Sequence, residues 1–142
     1  MPKGYLICPV TNASAEMQAK IDAFVAKKAE EGWDIHNPKY DAPQDDETGV
    51  GIYIAHFTAL QDCQRVFIIW DSNSRGSICD FGAVMFSGLP VEVVDVVNPD
   101  IPGKSFLKIM QDIEANGPIM KDGRVIRALP PKRGSSDKPG PQ

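Results

Sequence analysis

The sequence has little of several features that define specialised classes of protein. Cysteine occurs only three times, at Cys8, Cys63 and Cys79, without a CxxC pair. This scarcity argues against a disulfide framework or a zinc cluster and favours free thiols in a reducing cytosol. No apolar run approaches the roughly 20 residues that cross a bilayer, and the opening MPKGYLICPV turns polar too early for a signal peptide. We therefore expect a cytoplasmic protein that does not contact a membrane.

Positive charge and phosphate-binding motifs are also scarce. Fifteen Lys and Arg stand against 19 Asp and Glu, a net charge of −4, which disfavours binding to polymeric nucleic acid. Neither GxGxxG nor a Walker loop occurs. The 142 residues and the hydrophobic share of 42% are ordinary for a globular chain. We expect one domain over residues 1–129 and a flexible polar tail over residues 130–142, which lacks large apolar residues.

Short apolar runs alternate with segments of helical periodicity. This alternation predicts right-handed crossovers and a parallel sheet with helices on both faces. The expected fold is α/β, a flavodoxin-like or Rossmann-like three-layer sandwich with about five strands in the order 2-1-3-4-5. A small hairpin is predicted around Asp122-Gly123. The strands are predicted at residues 5–10, 33–36, 66–70 and 90–97, and the helices at about 14–31, 52–63, 77–88 and 104–116.

The most informative segment spans residues 66–94, where an apolar strand leads through a polar loop into a helix. In open α/β sheets, ligands bind outside the carboxyl ends of the strands, where the strand order reverses. In the predicted order this point lies between the first and third strands. Because Thr11 and Asn12 follow the first strand and residues 71–77 follow the third, we expect these loops to meet at one rim.

Two carboxylates belong to this rim, Asp71 at the end of the third strand and Asp80 nine residues later. We expect Asp80 in the first turn of a helix, where the helix dipole would keep it ionised at neutral pH. An ionised carboxylate beside a sugar can attack the anomeric carbon or stabilise an oxocarbenium-like transition state. The alternative is structural, because Ser77 and Asp80 have the spacing of a capping box.

The neighbouring polar residues also allow two interpretations each. Ser72, Ser74, Gly76 and Ser77 at a helix N-terminus could hold a phosphate or a carboxylate, or could form an ordinary loop between strand and helix. Tyr5, at the head of the first strand, could contact a base or a reacting carboxylate, or could simply pack in the core.

Two further groups favour a structural interpretation. The run 45–47 (Asp-Asp-Glu) could bind a divalent cation, but three consecutive acids converge poorly on one ion, so a solvated loop is favoured. His56 shares a predicted helix face with Ile52 and Leu60, which favours a partly buried histidine with satisfied hydrogen bonds. We expect neither a metal nor a cofactor.

Four segments form a pattern that spans most of residues 5–97. They are YLICPVTNA (5–13), Asp45-Asp46 before Thr48-Gly49, the helix through Ala59, and WDSNSRGSICDFGAVMFSGLPV (70–91). Together they resemble the nucleoside 2-deoxyribosyltransferase-like superfamily, which includes nucleotide N-glycosidases. The most specific part is the acid-x-Gly core that precedes small and apolar residues and then Gly-x-Pro-Val.

This resemblance implies cleavage of the N-glycosidic bond of a nucleoside or nucleotide, with transfer of the sugar to another base or to water. Asp80 falls at the position of the nucleophile, Asp71 near an aspartate that contacts the base or assists proton transfer, and Tyr5 at a tyrosine that orients the nucleophile. The resemblance also implies a homo-oligomer, because members often build the site across a subunit interface. The residues implied in substrate binding are Pro9, Thr11, Asn12, Asp45, Asp46, Ser72, Ser74, Gly76 and Ser77.

One position departs from the family pattern. The nucleophile position carries Asp80 where the family uses Glu, which shortens the reach by one methylene. Misplacement by about 1 Å can cost on the order of 100-fold in rate. A non-catalytic nucleotide-binding or sensing module with the same fold is therefore the alternative function, and a flavin or sugar-phosphate binder is a third.

Overall fold

A computed structural model describes residues 1–11, 13–43, 47–99, 105–129 and 131. The predicted tail over residues 130–142 lies outside these residues apart from position 131, so the domain boundary stays a prediction. Within the described part of the chain, no helix is long and apolar enough to span a membrane. The elements in chain order are β1 (Lys3–Ile7), α1 (Ala15–Glu30), β2 (Asp34–His36), α2 (Val50–Asp62), β3 (Arg65–Asp71), α3 (Arg75–Ser87), β4 (Val91–Asn98), α4 (Phe106–Asn116), β5 (Met120–Lys121) and β6 (Arg124–Val125).

The first four strands form one parallel sheet in the order β2-β1-β3-β4. β1 and β3 are its central strands, and the run from Val66 to Trp70 in β3 is entirely buried. Such continuous burial is typical of a parallel strand with helices on both faces. The predicted α/β sandwich and the order of the first four strands are confirmed. The predicted number of about five strands is wrong, since the sheet has four within the described residues.

The chain after α4 forms a separate hairpin in place of a fifth strand of the sheet. β5 and β6 pair antiparallel around Asp122 and Gly123, both of which have positive φ. This hairpin lies against the end of α3, where a Cβ on Gly88 would come within 2.7 Å of the Met120 carbonyl oxygen. Gly88 also ends α3 with a φ of +73°, a conformation that favours glycine. The chain therefore turns back onto α3 instead of extending along β4.

The sheet separates two apolar cores. Tyr5 and Trp70 belong to the core that the sheet shares with α2, α3 and α4, whereas Leu6 and Phe67 pack with Met17 of α1 on the opposite face. Full burial of each large apolar side chain stabilises the fold by roughly 1.5–3 kcal/mol. The central strands are therefore held by apolar packing on both faces of the sheet.

Candidate active site

A cavity of about 610 Å³ lies at the carboxyl ends of β1 and β3, at the rim where the sequence predicts a ligand. This volume is typical of a site for a small molecule. Its walls come from the residues after β1, the loop after β2, α2 and the start of α3. Five of the predicted site residues line it, namely Thr11, Ser74, Gly76, Ser77 and Asp80.

The start of α3 differs from the prediction in a way that bears on Asp80. The helix begins at Arg75 and not near Ser77, because Ser74 is its N-cap and the Ser74 Oγ accepts a hydrogen bond from the Ser77 amide at 3.3 Å. Asp80 therefore lies in the second turn of α3, and the predicted capping box of Ser77 and Asp80 is wrong. Capping accordingly does not explain why a carboxylate stands at this position.

The Asp80 carboxylate is buried at the cavity wall. The residue is 6% exposed, and its Oδ1 has no hydrogen-bond partner within the described part of the chain. Burial raises the pKa of Asp80 from 3.8 to about 7, while a hydrogen bond with Tyr5 acts in the opposite direction. The expectation that the helix dipole keeps Asp80 ionised is wrong, since that effect fades beyond the first turn and desolvation dominates. Protonated and ionised forms coexist at neutral pH.

Tyr5 supports Asp80 from the central strand β1. The tyrosine is 1% exposed and does not itself line the cavity. Burial, with a smaller contribution from the Asp80 charge, raises the pKa of Tyr5 well above its ordinary range. The phenol therefore stays protonated and donates its hydrogen bond to the Asp80 carboxylate. Both residues are close together, as the family resemblance implies, while their roles in a reaction stay predictions.

Ser77 is a second polar residue of α3 with an unused hydrogen-bonding group. The residue is 1% exposed, and its buried Oγ has no hydrogen-bond partner among the described residues. A buried polar group without a partner costs about 1–3 kcal/mol. Ser77 and Asp80 lie three residues apart on one face of α3, so a polar ligand in the cavity would satisfy both groups.

Asp71, Ser72 and Pro9 lie near the rim but do not line the cavity. The Asp71 Oδ1 accepts hydrogen bonds from the Asn98 Nδ2 and from the Asn73 amide, each at 2.9 Å. Ser72 is buried, and its amide donates to the Asn98 carbonyl oxygen at 3.1 Å. Pro9 is also buried. Asp71 and Ser72 thus join the ends of β3 and β4, and the catalytic and binding roles of these three residues stay predictions.

Three predicted substrate-binding residues, Asn12, Asp45 and Asp46, lie outside the described residues. Their placement at the site therefore stays a prediction. In the part of the chain that the structure describes, no group of three or more His, Cys, Asp or Glu residues is arranged to hold a metal ion.

The sequence did not predict the aromatic wall of the cavity. Tyr53 and His56 of α2 line it, and their rings meet edge to face with centroids 5.6 Å apart. His56 is 5% exposed, and its Nδ1 lies 3.0 Å from the Nε2 of His36 at the end of β2. His56 is buried more fully than expected, and one of its two ring nitrogens has a hydrogen-bond partner, while the same side chain borders the cavity. The sequence carries one signal of this wall, since residues three apart share a helix face.

Comparison with known proteins gives one informative result. No protein-family model matches the sequence, and no curated protein matches it. Among solved structures, the chain is similar to a 2-deoxyribosyltransferase from the psychrotolerant bacterium Bacillus psychrosaccharolyticus, with a TM-score of 0.58 and 18% identity. The match covers 78% of this chain and 80% of that chain. At this identity the similarity shows a common fold, so the four-stranded parallel sheet with its flanking helices is an architecture that the chain shares with a 2-deoxyribosyltransferase.

Proposed function

We propose that the chain cleaves the N-glycosidic bond of a nucleoside or nucleotide, with the Asp80 carboxylate as the nucleophile. The main support for this proposal is that the Asp80 Oδ1 is buried at the cavity wall and has no hydrogen-bond partner within the described chain. A carboxylate oxygen that the protein leaves unpaired is available to attack a substrate carbon. The fold shared with a 2-deoxyribosyltransferase supports this chemistry at this rim.

In the proposed reaction an Asp80 oxygen forms a bond to C1′ of the sugar while the bond from C1′ to the base breaks. The electron pair of the broken bond goes to the base nitrogen, and the base takes up a proton. The product on the protein is a glycosyl ester of Asp80. A second base or a water molecule then attacks C1′ and releases the carboxylate. The hydrogen bond from Tyr5 holds the carboxylate in one orientation during both steps.

The start of α3 supplies the polar side of the proposed site. The Ser77 Oγ, which has no partner in the described chain, is placed to bond a sugar hydroxyl or an oxygen of a 5′-phosphate. Ser74, Gly76 and Thr11 border the same volume. The predicted contact between Asp71 and the base would use Oδ2, because Oδ1 is bonded to Asn98 and Asn73.

The proposal is tested by incubating the protein with a panel of nucleosides and nucleoside 5′-monophosphates and separating free bases by chromatography. Release or exchange of a base is expected, together with a glycosyl adduct on the peptide that contains Asp80, detected by mass spectrometry. Asp80→Asn is the matched control, since it keeps the shape of the side chain without the charge. Absence of base release from every substrate by a folded protein would reject the proposal.

Two observations also favour a second candidate, a nucleotide-binding module without turnover. Aspartate reaches one methylene less far than the glutamate of the resembling family, and the raised pKa of Asp80 reduces the ionised fraction at neutral pH. This candidate predicts that nucleotides raise the melting temperature while no base is released. Base release, or the absence of any nucleotide-dependent stabilisation, would exclude it.

A further inference from the structure

We propose that His36 and His56 form a proton relay, which connects the cavity beside Asp80 to a second cleft and supplies the proton that the departing base takes up. This inference rests on the proposed function, because N-glycosidic cleavage is the step that consumes the proton. It assigns a role to two histidines that the reaction above does not use.

The two histidines bridge two separate openings of the protein. His56 lines the cavity that contains Asp80, whereas His36 lines a second cleft of about 260 Å³. Their rings are joined by the contact of 3.0 Å between the His56 Nδ1 and the His36 Nε2. Because this contact uses the His56 Nδ1 and the His36 Nε2, the relay assigns the His56 Nε2 to the cavity and the His36 Nδ1 to the second cleft.

The surroundings hold both rings in this arrangement. Tyr5 stacks on His36 with a centroid distance of 5.3 Å, and Tyr53 meets His56 edge to face. The second cleft is polar, since Asp34 and Asp41 contribute to its lining and are exposed to solvent. Water in that cleft can therefore exchange protons with His36.

The relay requires neutral imidazoles, and burial favours the neutral form of both rings. Burial lowers the pKa of His56 to about 4, with a further contribution from His36. Burial likewise lowers the pKa of His36, although the negative charges of Asp41 and Asp34 oppose this shift. A neutral imidazole has one donor and one acceptor nitrogen, and the hydrogen bond of one nitrogen decides the role of the other.

Two arrangements of the shared proton follow from this chemistry. In the first, the His36 Nε2–H donates to the His56 Nδ1, so the His56 Nε2 carries a hydrogen toward the cavity. In the second, the His56 Nδ1–H donates to the His36 Nε2, so the His56 Nε2 offers a lone pair to the cavity. Conversion of the first arrangement to the second delivers one proton to the cavity. Both imidazoles are neutral before and after this transfer.

The proton balance of the cleavage step is then complete. As Asp80 bonds to C1′, the electron pair of the broken bond goes to the base, which takes the proton from the His56 Nε2. The His56 Nδ1 takes the shared proton from the His36 Nε2, and the His36 Nδ1 takes a proton from water in the second cleft, which leaves a hydroxide ion to the solvent. When a new base attacks the glycosyl ester, its proton returns along the same path.

The decisive experiment combines two variants of His36 with two leaving groups. His36→Gln places an amide near the position of Nε2, so it retains a hydrogen bond to His56 but does not carry a proton. His36→Phe retains a ring on Tyr5 but loses the hydrogen bond. The substrates are 2′-deoxyguanosine, whose base must gain a proton, and 7-methyl-2′-deoxyguanosine, whose methylated base already carries the positive charge. Both are used as 5′-monophosphates if the wild type requires the phosphate.

A relay predicts that both variants lose on the order of 100-fold or more in base release from 2′-deoxyguanosine, the usual contribution of general acid catalysis. Release from the methylated substrate should change less than about threefold, because its departure needs no protonation. A purely structural role of the hydrogen bond predicts instead that His36→Gln resembles the wild type on both substrates, and that result would overturn the relay.

A second experiment uses the wild type, so that the relay can be tested even if the His36 variants do not fold. The rate of base release is followed in mixtures of light and heavy water, where a relay with several protons in flight gives a curved dependence on the deuterium fraction. A straight line indicates a single transferred proton and contradicts the relay. If the wild type releases no base from any substrate, the proposed function itself fails, whereas release with indifferent His36 variants rejects the relay alone.

Discussion

Asp71 and Asp80 are two carboxylates on either side of one loop, and the fold treats them differently. The Asp71 Oδ1 accepts hydrogen bonds from Asn73 and Asn98 and holds the ends of two strands together. The Asp80 Oδ1 is buried without a hydrogen-bond partner within the described chain, and only Tyr5 supports the group. The comparison shows that a carboxylate near a cavity is a candidate nucleophile when its bonding is incomplete, and that position at the end of a strand is a weaker criterion.

Replacement of each aspartate by asparagine should give the largest difference in the rate of base release. Asp80→Asn removes the attacking anion, so the rate of base release should fall on the order of 10⁴-fold, as when a nucleophilic unit is removed. Asp71→Asn keeps an acceptor oxygen for Asn73 and Asn98, so the loss should be about tenfold or less, the effect of one weakened hydrogen bond. Chromatographic assay of free base measures both, and equal losses would contradict the comparison.

The pH dependence of stability should reveal the burial of Asp80. A carboxyl whose pKa is raised on folding stabilises the fold below its unfolded pKa, and this stability is lost as pH rises through the folded value. With a shift from 3.8 to about 7, Asp80→Asn should become more stable than the wild type above pH 8, by up to about 4 kcal/mol.

The greater stability of Asp80→Asn should decrease toward pH 4, where the side chain at position 80 is neutral in both the variant and the wild type. Urea unfolding at several pH values measures the difference. Ser77→Ala serves as the control, because it removes a neighbouring polar group that does not titrate. A stability difference between Asp80→Asn and the wild type that does not change with pH would contradict the assigned burial.

The pH dependence of the reaction should follow the ionisation of the same group. A nucleophile must be ionised, so kcat/KM should rise about tenfold per pH unit below pH 7 and level off above it. The rise is expected because the pKa of Asp80 is about 7. A rate that falls as pH increases through 7 would show that Asp80 acts as an acid.

The smallest expected effects concern the two serines at the start of α3, whose replacement by alanine should change fold stability and substrate affinity differently. Ser74→Ala removes the helix N-cap and should destabilise the fold by about 1 kcal/mol. Ser77→Ala removes a buried hydroxyl without a partner in the described chain, so it should stabilise the fold, by about 1 kcal/mol or more. Thermal unfolding compares the two variants. Substrate affinity should decrease more for Ser77→Ala, and the opposite order in both measurements would contradict the assignment.

The sequence predicts the alternation of strands and helices because apolar runs and helical spacing are local patterns. It overestimates the sheet by one strand within the described residues, since the place of the hairpin depends on a distant contact between Gly88 and Met120. The order of the first four strands is confirmed by the sheet.

The site could be predicted in part for a similar reason. The rim at the ends of β1 and β3 follows from topology, and Asp80 follows from the family resemblance. The true start of α3 depends on which of several serines caps the helix, and the hydrogen bond from the Ser77 amide to the Ser74 Oγ decides it. The pairing of His36 with His56 joins β2 to α2, and spacing along the chain does not encode such a contact.

Tyr5 has a consequence for the motions of the site. Because Tyr5 lies in a central strand paired on both sides, its backbone is released only when the sheet opens. Amide protons of β1 should therefore exchange with solvent on the timescale of global unfolding, while segments with fewer buried contacts open more often. Asp80 would then keep its orientation through many openings of the surrounding loops, and substrate entry would proceed without disturbing it.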